Sequence, residues 1–187
     1  MLHAKPPRLL LALTLALLLV PAAPTARAAR QAPCANADAM PDAANLATVR
    51  AAVLCLHNRE RSARGLAPLR ENANLRRAAD GHSTAMVTAR FFDHTSPAGT
   101  DMVDRILRTG YARNQGWSLG ENIAWGTGRL ATPAEIARAW MASPGHRANI
   151  LRREFREIGI GISIGVPVAN AHRLAGATYT ADFGVRR

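Results

Sequence analysis

Apolar residues recur at helical spacing in two long segments of the chain. The first predicted helix begins at Leu46 and ends before Gly65, a residue type that commonly follows a helix in the left-handed conformation. The second extends from about Asn74 to Ala89. Their apolar stripes are Val49, Ala52, Val53 and Leu56 in the first helix, and Leu75, Ala78, Ala79, His82 and Met86 in the second. Each helix therefore has one face suited to burial in a core.

Three shorter helices are predicted in the middle of the chain. One spans residues 100–108 and is followed by a glycine. The sequence TPAE at 132–135 has the form of a capping box with proline at the first helical position, which assigns Glu135 to the helix start rather than to chemistry. The sequence SPGHRANIL at 143–151 begins a further helix, with the hydroxyl of Ser143 as the expected cap.

Towards the C-terminus the pattern changes to short β-branched runs interrupted by glycine. The segments EIGIGISIGV (157–166) and ATYTADFGV (177–185) predict two strands, and AWG around Trp125 predicts another. Helices followed by strands indicate an α+β fold, in which helices pack on a small antiparallel sheet.

The N-terminus has the pattern of a secretory signal peptide. A basic start is followed by the apolar run Leu9–Val20 and by an A-R-A sequence that places cleavage after Ala28. The run is short for a bilayer span, although an uncleaved anchor is the alternative. We therefore expect a signal peptide at 1–28, an irregular arm at 29–46 and one domain at 47–187, with no transmembrane segment after cleavage and an exported product, secreted or periplasmic.

The charge of the chain is strongly positive. The formal net charge is +11, and removal of the leader, which holds three basic residues and no acid, lowers it to +8. Arginines interleaved with acids favour a solvated surface, and adhesion to an acidic cell envelope is the alternative. For an exported protein we expect no nucleic-acid partner.

Cys34 and Cys55 are the only cysteines. Both follow the leader, and in an oxidising compartment an even pair is expected to form a disulfide that ties the arm to the first helix. A catalytic role for Cys55 is the less favoured alternative, because this residue lies on the apolar side of its helix.

Candidate chemistry comes from His94, His146 and Glu121. Both histidines lie in segments rich in Ser, Pro and Gly, and Glu121 lies in a turn between apolar residues, where its pKa would shift. Two imidazoles and a carboxylate can hold Zn²⁺ or form an acid–base set, although their spacing matches no local metal motif. The remaining histidines of the mature chain are expected to be structural (His57 and His82) or exposed (His172).

Six motifs in one order suggest a family. LHNRERSARGLAPL, FFDHTSPAG, GENIAWG, WMASPGHRANIL, IGIGIS and YTADFG together resemble the CAP superfamily (cysteine-rich secretory, antigen 5 and pathogenesis-related 1) in its bacterial exported, SCP-like form. The resemblance covers about residues 47–187. It implies an α-β-α sandwich and a central cleft of two histidines and two acids, which binds zinc in some members.

The resemblance assigns this cleft residue by residue. His94 and His146 match the two histidines, and Glu121 matches the acid of the GEN motif. The second acid is expected three residues after Trp140, where this chain has Ser143. A two-histidine, one-carboxylate set remains, with Zn²⁺ or another divalent cation as its candidate cofactor.

Three functions are consistent with this set. The first is a secreted binding or interaction module for a lipid, an envelope polymer or a protein, with a cleft able to bind a divalent metal. The second is a zinc-assisted hydrolase of peptide or cell-wall bonds, in which His94 and His146 hold the metal and Glu121 is the general base. The third is a structural envelope protein.

Overall fold

A computed structural model describes Met1 and residues 32–113, 116–168 and 175–187. The expected signal peptide after Met1, the first residues of the arm and His172 lie outside the described residues. The helices are α1 (Leu46–Ser62), α2 (Ala73–Ala89), α3 (Met102–Arg108), α4 (Pro133–Ala142) and α5 (Pro144–Leu151). The strands are β1 (Arg70–Glu71), β2 (Trp117–Thr127), β3 (Glu157–Ile164) and β4 (Gly176–Arg186), and a 3₁₀ turn (Gly128–Ala131) precedes α4. The α+β fold class is confirmed. No helix in these described ranges is long and apolar enough to cross a membrane.

The sheet is mixed rather than purely antiparallel. Its strand order is β1-β3-β4-β2, and β1 pairs with β3 in parallel while the other two pairs are antiparallel. Asn58 of α1 holds the segment before β1 by two hydrogen bonds with the backbone of Leu69, at 2.7 and 3.0 Å. The expectation of an antiparallel sheet misses β1, because a two-residue strand is too short to show alternation.

Helices cover both faces of the sheet. On one face α1, α4 and α5 enclose the main core. The sheet contributes three isoleucines of β3 and three residues of β4 to it, namely Ile158, Ile160, Ile162, Tyr179, Ala181 and Phe183. On the other face α2 lies directly against β3, where a Cβ added at Gly159 or Gly161 would come within 2.1 Å of the α2 backbone. The glycines of the IGIGIS motif thus allow close contact between α2 and the sheet.

The two predicted side-chain caps are wrong. Helices α4 and α5 begin where expected, with proline at the first position, yet neither Thr132 nor Ser143 accepts a hydrogen bond from its helix. The Thr132 hydroxyl donates instead to the carbonyl of Arg129, at 2.9 Å. The side chains of Arg129 and Arg138 both pair with Glu135, and the backbone N–H of Thr132 donates to the Arg129 carbonyl at 3.2 Å rather than to Glu135. Ser143 directly joins α4 to α5, and its backbone N–H donates to the last turn of α4.

The predicted disulfide between Cys34 and Cys55 is confirmed. It joins the arm to α1 with a Cα–Cα distance of 5.8 Å. Because Cys55 is oxidised, it has no thiolate to act as a nucleophile.

His57 is buried in the main core. Its Nδ1 lies 2.9 Å from the Val53 carbonyl, and its ring packs against Trp140 and Phe183. Burial lowers the pKa of His57 from 6.5 to about 4; the Val53 hydrogen bond opposes this shift, and the charge of Arg61 adds to it. The fold therefore requires a neutral imidazole.

The pH dependence of unfolding should reveal this requirement. The contribution of neutral His57 to stability is complete above pH 6.5 and decreases as the pH falls towards the folded pKa of about 4. Over that interval we expect the free energy of unfolding to fall by about 3 kcal/mol from this group. His57→Phe keeps the ring contacts but cannot take up a proton. Between pH 7 and pH 4, its free energy of unfolding, measured with urea, should therefore decrease by about 3 kcal/mol less than that of the wild type. Equal losses in the two proteins would contradict the assignment.

Candidate functional site

Glu121 lies at the centre of the candidate site, near the middle of β2. Its side chain is 2% exposed and faces the α2 and α3 side of the sheet. One carboxylate oxygen lies 2.7 Å from Nδ1 of His94, and the other lies 2.6 Å from Nη2 of Arg105. Both oxygens of this buried carboxylate are therefore bound by protein groups.

Arg105 of α3 links the segment that contains His94 and Thr100 to Glu121. Besides its bond to Glu121, it donates through Nη1 to the carbonyls of His94 and Thr100, at 2.9 and 3.0 Å. Burial by itself would raise the pKa of Glu121, but the His94 hydrogen bond and the Arg105 charge outweigh it and hold that pKa below its usual value. The hydrogen bond to Glu121 raises the pKa of His94 against the effect of burial. The pair therefore favours a carboxylate and a protonated or Nδ1–H imidazole.

Asp182 is a second, unexpected acid beside Glu121. The two residues are opposite one another in the β2–β4 ladder, so their side chains share one face of the sheet. Asp182 is fully buried, and its carboxyl oxygens have no hydrogen-bond partner among the described residues. Burial and the charge of Glu121 raise the pKa of Asp182 well above its usual value. The raised pKa favours the protonated form of Asp182 beside an ionised Glu121. The sequence signal for it was an acid inside a predicted strand that has no other charged residue.

His146 reaches the site from the other helical layer, in the first turn of α5. Asn122 donates to its backbone carbonyl at 2.9 Å, and Asn149 donates to the Asn122 side chain and to the Glu121 carbonyl, at 2.9 and 3.1 Å. These bonds fix α5 against β2. Burial, and then the charge of His94, lower the pKa of His146. The two asparagines belong to the GEN and HRANIL motifs, but sequence reasoning did not assign them this positioning role.

The structure brings together part of the expected set. His94 and Glu121 are in direct contact, while no hydrogen bond joins His146 to either of them within the described part of the chain. Nor do the described residues contain a group of three or more His, Cys, Asp and Glu that could hold a metal ion. Because zinc sites generally use three or four protein ligands, and Glu121 is bound by His94 and Arg105, the residues do not form a ready zinc site.

An apolar pocket of about 280 Å³ adjoins His146. Phe92, Trp125 and Trp140 contribute aromatic walls, and Phe92 and Trp125 are 42% and 36% exposed. Ser143 also lines this pocket, at the position where the resemblance expects an acid. The wall of the pocket is uncharged there, so that an apolar group can lie beside the imidazole of His146.

Comparisons with known proteins agree with the motifs. The chain is 39% identical over 109 residues to "Uncharacterized protein YkwD" of Bacillus subtilis (strain 168), covering 58% of this chain and 40% of the relative. It is 33% identical over 110 residues to "Uncharacterized membrane protein YlbC" of the same organism, covering 59% of this chain and 30% of the relative. The chain thus spans less than half the length of these curated relatives.

Solved structures share the fold. An extracellular protein containing a SCP domain from Bacillus anthracis str. Ames matches with a TM-score of 0.57 and 26% identity, over 76% of this chain and 44% of that one. An outer surface protein from Borrelia burgdorferi matches with a TM-score of 0.58 and 19% identity, over 72% of this chain and 90% of that one. The model of the family described as "CAP: Cysteine-rich secretory protein family" matches residues 54–166, more than half of the sequence, and the chain belongs to this family.

Proposed function

We propose that this CAP-family protein is an exported binding module, whose cleft takes a ligand with both a polar and an apolar part. Export is supported by the leader-like N-terminus, by the disulfide, and by the similarity to an extracellular protein of Bacillus anthracis. The polar part of the ligand would contact His94 and His146. Its apolar part would enter the apolar pocket beside His146, which we call the aromatic pocket.

This proposal rests on one observation: both carboxylate oxygens of Glu121 are already in contact with other side chains. A general base must be within reach of the proton that it removes, yet the Glu121 side chain is 2% exposed, and its two oxygens already contact His94 and Arg105. Glu121 acts instead on His94, because its contact with Nδ1 leaves Nε2 for a ligand. The His94 side chain is 53% exposed and therefore accessible.

The aromatic pocket narrows the ligand class. Exposed aromatic side chains beside a half-buried imidazole favour a lipid or an apolar protein segment over a purely polar envelope polymer. Ser143 adds a hydroxyl rather than a charge to this wall, which lowers the cost of burying an apolar group there.

A zinc-assisted hydrolase is the second candidate. The contact between His94 and Glu121 favours it, since carboxylates commonly orient histidines that bind zinc through their other nitrogen. His94 and His146 would hold the metal, which would supply Lewis acidity and an activated water. We rank this candidate second because the described residues offer no third zinc ligand and because Glu121, the candidate base, already contacts His94 and Arg105.

A fluorescent fatty acid, cis-parinaric acid, tests the proposed binding function. We expect saturable fluorescence enhancement with the wild type and at least about tenfold weaker binding with Trp125→Ala, which removes one aromatic wall. Leu130→Ala is the matched control, because Leu130 is also a large exposed apolar residue (54%) but does not line the pocket. Absence of saturable binding would refute a lipid as the ligand, and equal losses in both variants would refute the pocket beside His146 as its site.

Zinc calorimetry and substrate assays separate the two candidates. With two imidazole donors we expect zinc to bind more weakly than at three-ligand sites, and not at all in the double variant His94→Ala and His146→Ala. Peptidoglycan or casein turnover that requires zinc and is lost in Glu121→Gln would reverse the ranking.

A further inference from the structure

A second cleft lies at the opposite edge of the sheet from the candidate site. Glu121 is on β2, which forms one edge, whereas this cleft is next to β1, which forms the other. It has a volume of about 570 Å³, and four charged residues line it, namely Arg70, Arg156, Glu157 and Arg186. We call it the basic cleft.

The single acid among these four residues is already paired. Glu157 accepts hydrogen bonds from Tyr111 at 2.6 Å, from Asn72 at 2.9 Å, and from Arg186 at 2.7 and 3.2 Å. Burial raises the pKa of Glu157, but these bonds outweigh burial and lower it, so that the group is ionised. Arg186 is also held over the Tyr111 ring, 5.3 Å from its centroid. Glu157 therefore neutralises Arg186, and among the described residues Arg70 and Arg156 have no carboxylate as a counterion.

Arg70 and Arg156 present unused donors to this space. Arg156 is held through Nη1 by the carbonyls of Phe155, at 3.0 Å, and Arg153, while its Nε and Nη2 have no partner among the described residues. Arg70 is exposed, and within the same ranges its side chain forms no ion pair or hydrogen bond. The backbone bond from Arg70 N to the Arg156 carbonyl, at 2.9 Å, keeps these two residues on adjacent segments.

A buried cation adds to the positive potential beneath this cleft. Arg61 is fully buried and donates to the carbonyls of Ala67, Ile150, Arg152 and Phe155, at 2.8 to 3.0 Å. It forms no ion pair with a described carboxylate. Burial, followed by the charge of Arg156, lowers the pKa of Arg61. Since Ala67 lines the basic cleft and Phe155 precedes Arg156, this uncompensated charge lies close below it.

We propose that the basic cleft binds the phosphate group of a phosphate ester. A guanidinium group presents paired N–H donors, and two such groups match a phosphate, which has several charged oxygens, better than a single carboxylate. The cleft is large enough for a sugar-sized group beside the phosphate. Its apolar wall residues Ala67, Pro68 and Val185 offer a surface for the uncharged part of such a ligand.

The test compares two variants of equal charge. Arg70→Gln with Arg156→Gln removes the two unpaired cations, while Arg59→Gln with Arg77→Gln removes two exposed helical arginines outside the cleft. Calorimetry with inorganic pyrophosphate and with N-acetylglucosamine 1-phosphate should show binding to the wild type that weakens with added salt. We expect at least about tenfold weaker binding in the first variant and a change below about twofold in the second.

Two arms identify the source of the phosphate. N-acetylglucosamine 1-phosphate represents a soluble or polymer-borne ester, and phosphatidylglycerol vesicles, with phosphatidylcholine vesicles as their control, represent a lipid headgroup. Binding in either arm that is lost only in Arg70→Gln with Arg156→Gln supports the proposal. Binding in neither arm, or equal loss in both double variants, overturns it. Thermal unfolding of both variants confirms that the cleft, and not the fold, has changed.

Discussion

Replacing Arg61 with methionine is expected to lower the free energy of unfolding by about 4 kcal/mol. Methionine retains most of the apolar stem but has no donors for the four carbonyls that the guanidinium group of Arg61 now satisfies. Each buried carbonyl without a partner costs about 1–3 kcal/mol, and local relaxation with water entry limits the total. Chemical unfolding of both proteins at neutral pH measures the difference.

The matched control for this substitution is Arg64→Met, one turn further along the chain. Arg64 is 37% exposed and pairs with Glu60, which is 41% exposed. Exposed pairs of this kind contribute well under about 1 kcal/mol, so the control should remain close to the wild type. If Arg61→Met lost no more stability than Arg64→Met, the carbonyl bonds of Arg61 would have no structural importance.

Arg61 also links stability to the candidate site. The carbonyls that it binds belong to the last residues of α5 and to the turn that leads into β3. His146 lies at the start of that same short helix, so we expect the Arg61 bonds to hold α5 at its C-terminal end while Asn122 and Asn149 hold it against β2.

The sequence predicted the secondary structure well where a periodic pattern exists. Helical spacing identified α1 and α2, and the glycine-punctuated runs identified β3 and β4. It could not identify Arg61, since RERSARG has the composition of a solvated helix end. Three of the four carbonyls that surround this guanidinium group come from residues about 90 positions away, and a local sequence pattern cannot predict such a contact.

The candidate site was predicted only in part, because local sequence patterns do not show contacts between residues that are distant in the chain. His94 and Glu121 could be proposed because each is a titratable residue in an unusual local setting. Arg105 could not, because an arginine on a short exposed-looking helix has no local signature, and its role depends on α3 packing next to β2. Asp182 depends in the same way on strand register, which places it opposite Glu121 only once β2 and β4 pair.

The second large effect on the free energy of unfolding is expected when the two acids of the site, Glu121 and Asp182, are both replaced by their amides. Glu121→Gln removes the negative charge that, after burial, raises the pKa of Asp182, so we expect Asp182 to ionise and replace the lost partner of Arg105. We therefore expect the single variant to lose only about 1–2 kcal/mol. Glu121→Gln with Asp182→Asn leaves the Arg105 side chain, which is 11% exposed, without a carboxylate, and should lose about 4 kcal/mol.

Asp182→Asn alone should stay within about 1 kcal/mol of the wild type near pH 4, about the unfolded pKa of aspartate, because asparagine has the shape and charge of the protonated acid. The stability difference between Asp182→Asn and the wild type changes with pH in a predictable direction. A raised pKa in the folded state means that the contribution of Asp182 to stability is complete below its unfolded pKa and is lost as the pH rises through the folded pKa. Asp182→Asn should therefore become more stable relative to the wild type as the pH increases.

The decisive quantity is the coupling in the double-mutant cycle. If Asp182 substitutes for Glu121, the double variant must lose more than the two single losses combined, by about 1–3 kcal/mol. Chemical unfolding of all four proteins at neutral pH measures this difference. Additive losses would mean that Asp182 remains protonated even without its charged neighbour, and that Glu121 alone balances the charge of Arg105. Excess loss would establish a site in which one negative charge is required, and in which strand register supplies a second carboxyl able to carry it.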